Sequence, residues 1–187
     1  MIKRVCNLHR IVTAFFVTVS FCTSFSVALA ADEQALLDEL ATAGPEQAAD
    51  IEDRLAREWS KSGSAAMDLL LQRGRDALEA GNYDAAIEHF TALTDHAPGF
   101  AEGWNMRATA FFQENKLGLA LNDLNRALAI NPNHFGAIIG LAVILEQTGY
   151  PEDALEAYLT VQSIHPHQEQ VATAIERLQQ EVGGQDI

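Results

Sequence analysis

The chain has 187 residues, 26 of them acidic and 12 basic, for a formal net charge of −14. That length suits one domain with enough chain to bury a core. The negative balance excludes nucleic-acid binding through phosphate neutralisation and opposes contact with anionic lipid head groups; its plain consequence is solubility, and its sharper one a basic partner.

The opening differs from the rest. Lys3, Arg4 and Arg10 make a basic lead, Ile11 to Leu29 is largely apolar and uncharged, and Ala28-Leu29-Ala30 stands before Ala31. These features predict a secretory signal peptide over residues 1–30, cut after Ala30. An uncleaved anchor is the competing reading, since the apolar stretch could just span a bilayer; its Ser and Thr residues and its small-x-small ending favour cleavage. Both cysteines, Cys6 and Cys22, lie in the leader, so the exported chain is expected to have no disulfide and no thiol chemistry. It would keep 9 of the 12 basic residues and all 26 acidic ones, a net charge of −17. A periplasmic location is expected, with no membrane contact after cleavage.

Residues 31–64 read as two helices. Glu33 to Ala43 carries Leu36, Leu37 and Leu40, and Gly44-Pro45 breaks it. Proline and acidic residues then open a second helix, in which Ile51, Leu55 and Trp59 recur every four residues as one apolar stripe. Repeat arrays need atypical end units, so this segment is expected to be an N-terminal cap over the first repeat, or a degenerate repeat itself. The spacing of Trp59 places it in a core rather than against a ligand.

From Met67 to Gln168 the chain repeats itself every 34 residues. Pro98, Pro132 and Pro166 keep that step, as do Gly81, Asn115 and Gly149; Ala86, Ala120 and Ala154; Phe90, Leu124 and Tyr158; and the small residues Gly74, Ala108 and Ala142. Five columns in one register mark a repeat array. Gly or Asn joins two helices where a left-handed residue is needed. Pro ends the second helix, small residues on both faces let the pair approach, and the bulky column fills the space between units. The predicted units are 67–100, 101–134 and 135–168, followed by a capping helix over 169–182 with Val171, Ile175, Leu178 and Val182 on one face. The array and its cap are expected to occupy residues 65–184, and Gln185-Asp186-Ile187 to fray.

This register resembles the tetratricopeptide repeat, a helix-turn-helix unit of 34 residues. The second unit carries it most fully, with Trp104-x-x-Arg107-Ala108-x-x-Phe111, Ala120-x-x-x-Leu124 and Pro132. Arg73 and Arg107 stand where that family prefers Leu, and Pro151 where it prefers an aromatic. The resemblance implies an all-α superhelix of three helix pairs with capping helices at both ends. It also implies a binding platform, although fold alone does not fix function.

In proteins similar to this family, one stripe on the first helix of each unit lines a concave groove that holds peptides. Here that stripe is Leu71, Arg75 and Leu78, then Asn105, Thr109 and Phe112, then Ile139 and Val143 with Glu146 beyond. Its apolar character suits an apolar peptide anchored by a few hydrogen bonds through Arg75, Asn105 and Thr109. The alternative is that the cap helices or a second copy cover it. A Lys/Asn/Arg clamp that some relatives use for a C-terminal carboxylate is not carried over, because Leu71, Met106, Gly136 and Gly140 occupy much of its place.

His134 and the pair His165-Pro166-His167 fall in turns and are expected at the surface; together with His89 and His96 they suggest no metal site. No nucleophile elbow, HExxH or phosphate loop is present, so neither catalysis nor a cofactor is expected. The reading is a non-enzymatic adaptor or scaffold of the bacterial cell envelope that binds a polypeptide segment. The alternative is a structural homo-oligomer using the apolar stripe as its own interface.

Overall fold

The computed structural model describes residues 32–183. The expected leader, its cleavage point, Gly184 and the C-terminal three residues lie outside them. Every regular element among the described residues is an α-helix. They run α1 (32–42), α2 (Pro45–Trp59), α3 (Ala65–Glu79), α4 (Tyr83–His96), α5 (Ala101–Gln113), α6 (Leu117–Ile130), α7 (Phe135–Gln147), α8 (Pro151–Ile164) and α9 (Glu169–Gly183). None is long and apolar enough to cross a membrane.

Helices α3–α4, α5–α6 and α7–α8 are the three expected pairs, and their joints carry the expected backbone. Gly81, Asn115 and Gly149 have φ of 71°, 57° and 85°. Asn115 is the one described non-glycine residue in that left-handed region, which Asn tolerates better than most side chains. The small columns meet inside each pair. Ala86, Ala120 and Ala154 are fully buried, as is Ala142, while Ala108 is 1% exposed. In the first pair the contact is tighter: a Cβ added at Gly74 would fall within the Phe90 ring. Phe90, Leu124 and Tyr158 are all buried between units.

Arg107, which replaces the preferred Leu, is accommodated by a buried partner. Its Nε and Nη2 donate to the two carboxylate oxygens of Asp123 at 2.7 and 2.9 Å, across α5 and α6. Nη1 reaches Thr94 Oγ1 on α4 at 3.0 Å, and the guanidinium lies 4.8 Å from the Trp104 ring centre. A bidentate fork of this kind satisfies Asp123, which is 1% exposed and needs a cation to be buried at all.

The N-terminal helices depart from the expected cap. Leu36, Leu37 and Leu40 of α1 and Ala48, Ile51 and Leu55 of α2 join one core with Phe135, Ile138 and Tyr158 of the third pair and Val171, Ile175 and Leu178 of α9. The hairpin α1–α2 therefore packs on the far end of the array rather than over its first pair. Gly44 (φ −79°, ψ 166°) and Pro45 at the first helical position turn the chain between its two helices. The segment 60–64, with Gly63 at φ 79°, returns it to α3.

Candidate functional site

An apolar hollow lies between the first helices α5 and α7. It measures about 530 Å³ and is lined by Asn105, Ala108, Thr109, Phe112, Gln113, Leu124, Gly136, Ile139, Gly140, Val143, Ile144 and Gln170. No charged side chain and no residue of α1 or α2 is among them. Gly136 and Gly140 leave the α7 wall low; a Cβ at Gly140 would press on Leu124 at 3.2 Å. Thr109 Oγ1 donates to the Asn105 carbonyl, and Asn105 Nδ2 donates to Glu102 at 3.0 Å. Polar groups at the rim of an apolar hollow are the usual makings of a binding site.

Beside this hollow lies a buried polar cluster. Glu102, 7% exposed, receives hydrogen bonds from Asn105, from the Arg75 guanidinium and from His134 Nε2 at 3.0 Å. His134 Nδ1 accepts from the Ala137 backbone N–H, capping α7, so Nε2 carries the ring proton that Glu102 accepts. Trp59 stacks on the His134 ring at 4.5 Å and donates its indole N–H to Glu33 at 2.7 Å. Burial by itself would raise the Glu102 carboxyl; the His134 hydrogen bond, the Arg75 cation and the Asn105 amide outweigh it and hold the group below its ordinary value of 4.5.

The same rim carries further donors to the hairpin. Asn131 Nδ2 donates to Glu33 at 2.9 Å, His165 Nε2 bonds Glu52 at 3.0 Å, Gln168 Nε2 donates to Glu52 at 3.1 Å, and His167 Nε2 bonds the Ala43 carbonyl at 2.8 Å. A second space of about 400 Å³, bounded by Glu33, Trp59, Phe100, Asn131 and His134 among others, separates α1 from the turns. No three metal-ligating side chains converge among the described residues.

Two family profiles described as the tetratricopeptide repeat match residues 71–135 and 111–178. A TPR repeat-containing protein of Rhizobium etli is 35% identical over 138 residues, covering 72% of this chain and 68% of that protein. The chain belongs to the tetratricopeptide repeat family. Among solved structures, the first TPR of Spaghetti (RPAP3), bound to the HSP90 peptide SRMEEVD, aligns with a TM-score of 0.60 at 24% identity, over 63% of this chain and 93% of that one. MamA aligns with a TM-score of 0.60 at 23% identity, over 75% of this chain and 82% of its own. Both likenesses are of fold.

In this tetratricopeptide array, five of the eight candidate groove residues come together in the hollow: Asn105, Thr109, Phe112, Ile139 and Val143. The other three do not. Leu71 is 2% exposed and belongs to the first-pair core, and Leu78 packs against that core. Arg75 is engaged by Glu102 and by Ser60 Oγ at 3.0 Å, so it is no free handle. His134 and His165, expected at the surface, are 4% and 3% exposed, because the hairpin covers the turns that carry them; His167 is exposed. Trp59 is half-buried at that interface rather than inside its own helix pair. The signal for these residues was present: Asn131 and His165, and likewise His134 and Gln168, are 34 residues apart and keep the repeat step.

Proposed function

We propose that this tetratricopeptide protein is a non-enzymatic adaptor that holds a polypeptide segment in the hollow between α5 and α7. The carrying observation is the lining: apolar walls, three amide side chains and one hydroxyl, with no charge. Such a site takes apolar side chains and orients the backbone by hydrogen bonds. An acidic peptide such as the one bound to Spaghetti would find no cation there, since Arg75 is already paired with Glu102. Partners of this class are proteins; TPR units serve as peptide-binding modules. The basic lead, the apolar stretch and the Ala28-Leu29-Ala30 ending support export, and we place the adaptor in the periplasm of a bacterial envelope.

The test is site-specific photocrosslinking in cells. A photoreactive residue at Gln113, exposed at the hollow, should trap a polypeptide partner, and one at Glu156 on α8 should not. Phe112→Ala with Asn105→Ala should abolish the Gln113 product. Equal trapping at both positions would defeat the assignment of the site. A product made only of two copies of this chain would favour self-assembly instead.

A further inference from the structure

The rim of the repeats that faces α1–α2 is built as a row of donors. Asn131 and His165 close the second helices of consecutive units, and His134 and Gln168 stand just before the next first helices. Three of these four bond a carboxylate of the hairpin, and the fourth is stacked under Trp59. Along the same line the apolar seam of α2 is seated through Ile51 and Leu55. A surface with repeating donors at the step of the array, and an amphipathic helix laid on it, is the arrangement of helix-in-groove recognition.

The occupant suits that surface in shape but not in net charge. Residues 32–61 hold nine acidic and three basic side chains, and residues 62–183 hold sixteen and six. A hairpin of charge −6 thus lies on an array of charge −10. The carboxylates of Glu33 and Glu52 are received by donors, while Glu46 and Asp50 face solvent and add to the negative charge of the hairpin. The hairpin has one covalent link to the array, the exposed-to-half-buried segment 60–64.

From this arrangement we infer that α1–α2 is a built-in ligand, occupying a second protein-binding surface whose external partner is an amphipathic helix. That helix carries an apolar stripe like Ile51–Leu55–Trp59, one carboxylate at the Glu52 position and a basic outer face. It competes with α2 because it offers the same seam and the same carboxylate to His165 and Gln168 without adding negative charge. The surface is distinct from the hollow between α5 and α7 and does not depend on it.

The test uses the full exported chain and two synthetic peptides of residues 44–61. One has the native sequence; the other has Glu46→Lys and Asp50→Lys. The charge-reversed peptide should bind at least about tenfold more tightly than the native one, that is about 1.4 kcal/mol. In excess it should speed amide hydrogen exchange in α1–α2 and leave α3–α8 protected. Gln168→Ala should weaken it severalfold. Absence of binding overturns the inference, and so does binding that leaves α1–α2 exchange unchanged. Exchange of α1–α2 and α3–α8 in one common step, with or without peptide, would make the hairpin part of a single indivisible core and also overturn it. Loss of the Gln113 crosslink alone leaves this result intact.

Discussion

The three helix pairs and the N-terminal hairpin are held by different means, although both are amphipathic helices. Within a pair the small columns share one core, Gly74 lies against the Phe90 ring, and the partner lies within about 20 residues of chain. The hairpin is held by an apolar core shared with the third pair and α9 and by bonds from Glu33 to Asn131 and Glu52 to His165, contacts 98 and 113 residues apart. The first kind of contact is fixed by periodicity and leaves no choice of partner. The second depends on how far the array has turned and on which turn residues then face the same side.

That contrast can be broken most forcefully inside the repeats. Asp123→Ala leaves the Arg107 guanidinium without its counter-charge, and urea unfolding should show a loss of about 3–5 kcal/mol. Replacing both Arg107 and Asp123 with Leu should recover much of it, since an apolar pair of similar volume is tolerated where a lone charge is not. Ala120→Leu overpacks the fully buried contact with Ala108 and should cost about 1–3 kcal/mol. A variant as stable as the parent would mean that the small columns do not set the approach of α5 and α6.

Changes at the hairpin should be smaller and local. Trp59→Ala removes the stack on His134 and the bond to Glu33, worth about 1–2 kcal/mol, and should appear as faster exchange in α1–α2 with α3–α8 unchanged. Glu102 bonds the His134 ring on which Trp59 stacks, and its effect depends on pH. Its folded-state value is lowered, so the stability it gives is complete above about 4.5 and is lost as pH falls through that lower value. Glu102→Gln should therefore be less stable than the parent by about 1 kcal/mol at pH 7, and the gap should close in acid. A gap that widens below pH 4 would reverse the assigned direction. At the far end of the scale, Gln113→Ala should alter the unfolding free energy by less than about 0.5 kcal/mol while weakening the crosslinked partner.

Much of the candidate hollow was legible in the same way as the fold, and the departures have two causes. Asn105, Thr109, Phe112, Ile139 and Val143 sit on one helical stripe, so the heptad-like spacing that predicts their face also predicts their meeting. Leu71 sits on that stripe too, yet it is buried in the core of the first pair. His134 and His165 look like turn residues in a linear reading because nothing local covers a turn. What covers them is a segment about 100 residues earlier in the chain.

The sequence by itself determined the paired helices, their 34-residue step, the left-handed joints at Gly81, Asn115 and Gly149, and the small faces at which each pair closes, because all of these are short-range consequences of residue spacing. Only the tertiary structure decided that α1–α2 lies along the turns of the second and third units, that Arg75 is spent on Glu102, and that the hollow between α5 and α7 stays open. Those outcomes hang on apolar packing and side-chain hydrogen bonds between distant segments. Such contacts are set by the superhelical path of the whole array, and no local pattern of apolar and polar residues encodes that path.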